Sequence, residues 1–487
     1  MSRLFTSCVE KRKRNATSKL LSAANVLWLW CSNLLPKLGL SNTKRIIDWR
    51  SRAANEMSLN DYKYVGLVGC YTKEGQADPF EGSHGGVPHD RSLIGEGVIA
   101  IGVDYDGRLV YLNDGAPIIT AKELQNPSYL TILENVETVE GGVGVCVVSE
   151  LEKGMWQPFK LSSSSNDDAG TTIRAKPAGA PMKSGGEYPC HITSARVVGF
   201  DGESRATSLL FICNYGEDEG VLSIFSSQDF ESAFKPEAKF MFGDGSKADL
   251  NRQQCSHAHS TSIASTCDPY SPVDICVADL GSDAIVQFSI KSGRVRETGR
   301  LAAPQGSGPR SLMFNPKHNH LAIVSLEMTG EVWLIRKRSH DGCLEGLGSP
   351  VSILPSDWPS SDMTESQFNL GRWASDALWS EDGKYVYAAA RLHDSISVFE
   401  LKYRVEKYRD DAVVAEGLEL VQRIPTQGQT PRCLCMSDCG QFLLVAHQHS
   451  HDVSSFERNE VNGTLSFVDR ITLPNAACVK LIRADKL

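Results

Sequence analysis

Ser307-Gly-Pro-Arg-Ser-Leu-Met-Phe-Asn-Pro316, followed by Leu321-Ala-Ile-Val-Ser-Leu-Glu-Met-Thr-Gly-Glu-Val-Trp-Leu-Ile335, decides the reading of this chain. It predicts an apolar strand opening on Arg310, a tight turn through Pro316 and Asn319, a second strand closing on Glu327, a Thr-Gly turn and a third strand. The unit recurs along the chain. Short apolar runs that end on a polar residue occupy 64–70, 143–150, 209–214, 274–279, 321–327, 385–391 and 442–447, seven in all. First strands with similar turn chemistry open at 126–130, 188–192, 255–259, 308–312, 373–377 and 430–434, one fewer.

The missing first strand is expected at the far end of the chain. Residues 475–482 form an apolar run with nothing after it, and 64–70 has nothing before it. Pairing the two closes a ring and leaves no exposed sheet edge. The spacing leaves room for four strands per unit, which is the size of a propeller blade. The fold class is therefore all-β, a seven-bladed β-propeller closed by its C-terminal strand.

Composition agrees with a soluble, turn-rich chain: 487 residues, 41% hydrophobic, with 41 Gly and 21 Pro. Charge divides the chain in two. Residues 1–56 carry 11 Lys/Arg against 3 Asp/Glu, a net of +8, and the remainder is −17. An acidic body excludes nucleic acid as the expected partner, because phosphate backbones need a basic face. The 14 Cys are scattered without zinc-finger spacing. They are read as reduced thiols of a cytoplasmic protein, those inside strands as small buried hydrophobes.

Residues 1–58 read as a basic N-terminal extension and 59–487 as the propeller. The run Lys11, Arg12, Lys13, Arg14 precedes an apolar stretch over 20–35 that Pro36 ends, too short and polar for a stable membrane span. A signal anchor, an organellar presequence and a dispensable extension all remain open for 1–56. Met57, just before the first strand, is a candidate alternative start. Three further segments read as surface loops: 73–95, which carries His84 and His89 and would overhang a site, the Ser/Gly/Lys-rich 161–187, and the polar 243–256.

In an antiparallel pair the first strand starts where the second stops. First strands line the channel of a propeller, so strand starts (His257, His259, Arg310, Arg372, Arg432) and strand stops (Glu150, Asn214, Asp279, Glu327, Arg391, His447) are expected around one mouth. Guanidiniums from neighbouring blades grip carboxylates and phosphates. The expected ligand is a small anion.

Gly308-Pro-Arg310, Phe314-Asn-Pro316, Glu327-Met-Thr-Gly-Glu-Val332, Trp373-Ala-Ser-Asp376, Asp382-Gly-Lys-Tyr-Val-Tyr387, Arg391 with Ser395-Ile-Ser-Val-Phe399, and Thr430-Pro-Arg432 resemble the propeller-type 6-phosphogluconolactonases and their relative, the carboxy-cis,cis-muconate cyclase. The resemblance covers about residues 62–485. It implies hydrolysis of a sugar lactone, 6-phosphogluconolactone to 6-phosphogluconate in the pentose phosphate pathway, with no metal and no cofactor. It places a catalytic set on His259, Arg310, Glu327 and Arg391, with His257 as the alternative histidine and a substrate-binding candidate beside Arg310 and Arg391. The chain departs from the family pattern at Leu326, usually Asn, and Ser311, usually His.

Lactone hydrolysis needs an activated water, a stabilised oxyanion and a proton for the leaving ring oxygen. His259 and Glu327 are the candidates for the base and the proton donor, in either order, with Arg310 and Arg391 on the substrate anion and the oxyanion. Competing structural readings make Arg432 a blade-linking ion pair, Asp279 and Asp283 caps of the Gly-Ser turn between them, and Trp373 and Phe399 blade core. His447, His449 and His451 read as solvated turn residues. His257-Ala-His259 shares one strand face but lacks a carboxylate at metal-binding spacing. Two other functions fit the same fold: a lactonase or cyclase for another anionic substrate such as a carboxymuconate, and a non-enzymatic binding scaffold. The sequence leaves the oligomeric state open.

Overall fold

The computed structural model describes residues 57–72, 94–133, 143–166, 170–198, 200, 206–230, 233–264, 273–358, 372–405 and 413–487. All seven second strands form, as Tyr62–Cys70, Val143–Ser149, Ala206–Asn214, Val273–Asp279, Leu321–Leu326, Tyr385–Ala390 and Phe442–His447. Each pairs on its inner side with one strand: Ala476–Arg483, Tyr129–Leu133, Pro189–Val198, Ala258–Ala264, Pro309–Phe314, Ala374–Trp379 and Pro431–Met436, which define blades one to seven in that order. Further strands on the outer side complete seven separate antiparallel sheets. The inner strands contact one another in sequence around the ring.

The predicted closure is present. The C-terminal strand lies antiparallel to the first, with Val65 opposite Ile482 and Val68 opposite Val479. The second strand of blade one is thereby paired on both sides like those of the other blades, and the ring cannot unwind without breaking that ladder.

Alternation along the second strands builds the core. Successive side chains point to opposite faces of a sheet, and each face of a blade meets a neighbouring blade. Ile275 and Val277 thus pack with Phe211 and Cys213 of blade three, whereas Cys276 and Ala278 pack with Ala322 and Val324 of blade five. Both faces of these strands are dry, so their sequences read as unbroken apolar runs. The outermost strands Lys235–Met241 and Arg294–Ala302 alternate between exposed and half-buried positions and carry the charge.

Segment 161–187 is a correction to the loop expected there. Met155–Asn166 and Gly170–Pro177 form one long hairpin, and Leu161 and Ile173 enter the core shared with blade one. Ser and Thr tolerate a half-buried pleat well, so a polar composition did not prevent strand pairing. Met57 is itself buried, and its carbonyl accepts a hydrogen bond from Thr171 Oγ1 at 3.4 Å. Residues 1–56 and most of the expected overhanging turn, 73–93, lie outside the described residues. No helix among the described residues is long and apolar enough to cross a membrane, and the described cysteines are free thiols.

Candidate active site

The mouth of the channel is built by a repeated backbone irregularity. Where the inner strand starts, Pro309 pairs with Leu326 and Ser311 with Ser325, so Arg310 is an extra residue opposite no partner. The same bulge leaves His259 between Ala258 and Ser260, Arg432 between Pro431 and Cys433, and Cys190 between Pro189 and His191. A bulge re-aims the residue it carries, and here four blades aim it inward. His259, Arg310, Arg432 and Cys190 all line one cavity in the channel, together with Asp376 and His191. Proline at the first strand position suits this arrangement, since it has no N–H to donate there.

Glu327 lies at the centre of the charge arrangement and is 1% exposed. Its Oε2 is 2.8 Å from Arg310 Nε and 3.4 Å from Arg391 Nη2, and its Oε1 accepts from Arg252 Nη2 at 2.5 Å. Burial alone would raise the pKa of this carboxyl, but Arg391, Arg252 and Arg310 outweigh burial and hold it below the usual carboxylate range. Burial and the adjacent guanidiniums pull Arg391 down to about 9, against the attraction of Glu327. Arg310 is fixed further by donating from Nη1 to the Ser375 carbonyl at 2.8 Å. Each ion is thus strapped between two or more blades.

Across the mouth Arg432 lies 3.6 Å from Glu150 Oε2, which also accepts from Tyr71 Oη at 2.9 Å. The Arg432 guanidinium stands over the Tyr71 ring at 5.1 Å. This pair joins blade seven to blade two, as a blade-linking reading requires, and Arg432 lines the cavity as well. Four guanidiniums, of Arg252, Arg310, Arg391 and Arg432, stand there against three carboxylates, of Glu327, Glu150 and Asp376. The mouth therefore carries surplus positive charge in an acidic body.

His259 is neutral in this field. Burial first, then Arg310, Arg432, Arg391 and His191, hold its pKa well below that of a free imidazole. His257 is placed differently: its ring stacks on Tyr215 at 4.0 Å and its Nδ1 is 3.1 Å from the Tyr215 carbonyl oxygen, with 1% of the residue exposed. His259 is the bulged residue and His257 precedes the strand, and of the two only His259 reaches the cavity. Among the described residues no group of three or more His, Cys, Asp or Glu converges as a metal site.

The other strand-end residues divide. Asp279 caps its turn as expected, accepting from Gly281 N at 3.1 Å and Ser282 Oγ at 2.6 Å, and it also holds His257 N at 2.7 Å. Asp283 instead reaches the next linker, accepting from Gly306 N at 2.7 Å and Gly308 N at 2.8 Å. Asn214 donates to the Val221 carbonyl at 3.2 Å and is buried beside blade two's linker. Arg372 is exposed. His447 is a correction: its Nδ1 is 2.8 Å from Asp452 Oδ1 inside blade seven, with no exposure. His449 and His451 are also buried rather than solvated, holding Thr430 Oγ1 at 2.7 Å and Asn475 N at 3.0 Å.

Cys190, His191 and Asp376 of the cavity lay beyond the sequence reading, and so did two contributors to the Glu327 cluster. Arg252 comes from segment 243–256, expected to be a plain surface loop, and Trp373 was assigned to the blade core. The Arg252 guanidinium stands 4.5 Å over the Trp373 ring, with Arg391 5.8 Å from the same ring. The signal was positional: 243–256 runs directly into the inner strand of blade four, so its last residues must arrive at the mouth. Phe399, in contrast, is blade core. The departure at Ser311 puts its hydroxyl on Asp376 Oδ1 at 2.6 Å, tying blade five to blade six beside the cavity.

Fold and site together define a propeller whose inner-strand bulges gather arginines, a histidine and a buried glutamate at one channel mouth. The sequence family described as Lactonase, 7-bladed beta-propeller matches residues 116–481, and the chain belongs to it. It is 24% identical over 427 residues to the 6-phosphogluconolactonase of Bacillus subtilis (strain 168), covering 86% of this chain and 99% of that protein. It is 28% identical over 193 residues to the 6-phosphogluconolactonase of Enterobacter sp. (strain 638), covering 39% of this chain and 49% of that protein. The solved structure of the periplasmic gluconolactonase from Pseudomonas aeruginosa superposes with a TM-score of 0.62 at 21% identity, covering 86% of this chain and 99% of that one.

Proposed function

We propose that this protein hydrolyses a sugar lactone, 6-phosphogluconolactone, to the hydroxy acid 6-phosphogluconate, a step of the pentose phosphate pathway. The observation that carries the reading is the convergence of His259, Arg310, Arg391 and Glu327 on one mouth from three blades. A binding scaffold has no need of such a set, and family membership supports lactone chemistry. A carboxylated lactone is the second substrate reading, because guanidiniums accept either anion.

In this mechanism His259 is the base. It is neutral and lines the cavity, so it can take a proton from water as the water oxygen attacks the lactone carbonyl carbon. Arg310 and Arg391 receive the negative charge that develops on the carbonyl oxygen. Collapse of the tetrahedral intermediate breaks the bond to the ring oxygen, and the His259 imidazolium returns its proton there. The product is the open hydroxy acid, whose carboxyl proton passes to solvent. Glu327 acts through the guanidiniums it orients, since three positive charges around it disfavour its protonation.

The test is hydrolysis of freshly generated 6-phosphogluconolactone by purified 57–487, with spontaneous hydrolysis subtracted. Acceleration well above background is expected. Its absence from a folded protein would move the assignment to the carboxylated lactone or to the scaffold.

A further inference from the structure

Among the described residues, Arg252 is the one member of the Glu327 cluster delivered by a connection between blades. The segment that carries it is pinned rather than loose. Asp244 bridges Cys255, Ser246 N donates to the Gly281 carbonyl at 2.8 Å, and Gln253, fully buried, donates from Nε2 to the Leu280 carbonyl at 2.9 Å and to Asp283 Oδ1 at 2.7 Å. Asp249 closes the preceding turn by accepting from Asn251 N at 2.8 Å and Arg252 N at 3.2 Å. The result is a strap fixed to blade four that carries one guanidinium over the mouth. That guanidinium lies against Trp373 of blade six at 4.5 Å and 5.9 Å from the Tyr215 ring at the end of blade three's second strand.

Its bonding is incomplete. Arg252 meets Glu327 through Nη2 alone, and its buried Nε, like that of Arg310, makes no well-aligned hydrogen bond, so its exposure is what sets it apart. Its side chain is 23% exposed, against 7% for Arg310 and 5% for Arg391. Of the three cations on Glu327 it is the one a molecule arriving from solvent meets. An unpartnered buried donor is costly unless a ligand supplies the acceptor, and a flat guanidinium supported on an indole presents its fork to an oxyanion in two-point fashion.

We infer that Arg252 recognises the anionic substituent of the substrate, a phosphate or a carboxylate, and so sets the preference for charged over uncharged lactones. This rests on the lactonase reading above. Arg310 and Arg391 remain on the reacting carbonyl, and Trp373 orients the strap arginine.

The test compares kcat/KM of the full-length protein and its R252Q and R252K variants on 6-phosphogluconolactone, on muconolactone as a carboxylated lactone, and on glucono-δ-lactone. Arginine-to-glutamine replacement is expected to lower the ratio of charged to uncharged lactone turnover by roughly 10- to 100-fold, the loss of one charge-assisted contact. Lysine should restore part of that ratio. The charged lactone that suffers the loss identifies the anion. Equal losses on all three lactones, or no loss, overturn the inference and leave Arg252 as a support for Glu327. If the unaltered protein hydrolyses none of them, the lactonase reading fails, and calorimetric titration with inorganic phosphate decides the question. Binding at least ten times tighter than in R252Q upholds anion recognition, and equal binding overturns it.

Discussion

Arg310 Nε stands 2.8 Å from Glu327 Oε2 because of strand register. Pro309 is opposite Leu326, the bulge displaces Arg310, and Glu327 N donates to the Gly308 carbonyl at 2.8 Å, so the two side chains meet at the shared strand ends. Replacing Glu327 by Gln removes the charge that orients this arginine and two others. We expect kcat/KM to fall by roughly 100- to 1,000-fold, as for loss of oxyanion stabilisation. Removing one partner of a buried ion group costs about 3–5 kcal/mol, so thermal unfolding must be measured beside the kinetics, with Glu327→Asp as the charge-retaining comparison. Unchanged turnover in E327Q would remove Glu327 from the mechanism.

The pH profile tests His259. A free imidazole titrates near ~6.5, but burial and the arginines hold His259 well below its usual range. The base form therefore persists through mildly acidic conditions. We expect kcat/KM to stay level from about pH 7.5 down through about 6.5 and to decline only below that. A decline centred near ~6.5 that vanishes in H259Q would show an unperturbed histidine and contradict the burial argument.

His191 makes the related prediction for stability. Burial, then Lys480 and Arg310, hold its pKa down to about 3. The unfolded chain takes up a proton near ~6.5 that the folded chain refuses, so this residue contributes nothing to pH dependence above that value and costs stability below it. Tm should fall as pH drops from about 6.5 toward 4.5, and His191→Asn should flatten that slope. An equally steep slope in the variant would assign the loss to other groups.

How much of this could be read from the chain follows from the physics of each element. Second strands dry on both faces leave unbroken apolar runs, so the seven blades and the closing strand were legible, and antiparallel register placed Arg310, Glu327 and Arg391 together. Arg252 was not legible, because a strap held by Gln253 and Asp249 has no periodicity and its direction depends on tertiary hydrogen bonds. Composition misled in the same way at 447–451, where three histidines suggested solvent, yet they are buried inside the fold against Asp452, Thr430 and Asn475. The bulges were hinted at by Pro before Arg310 and Arg432, but their role in aiming side chains appears only with the ladder in view.

The closing strand makes a stability prediction. Removing residues 476–487 strips the inner strand from blade one and uncovers the paired edge of Tyr62–Cys70, an almost wholly buried run. An exposed apolar edge templates association. The truncated protein should be insoluble or form large assemblies by size-exclusion chromatography. A soluble monomer with native unfolding behaviour would show that the ring is held by inter-blade packing alone.

Gly308 gives the most local test of the bulge. It adopts a φ of 63°, and a Cβ there would meet Met328 Cγ at 2.9 Å. Left-handed backbone costs a residue with a Cβ roughly 1 kcal/mol relative to Gly, and the nearest neighbour is a flexible Met that can shift. Gly308→Ala should therefore fold, with Tm lowered by only a few degrees. The turn it alters sets the position of Arg310 two residues on, where small displacements cost far more in rate than in stability. We expect kcat to fall by roughly tenfold or more while Tm changes little. Proportionate small losses in both would mean that Arg310 is positioned by Ser375 and Glu327 alone, without help from the turn.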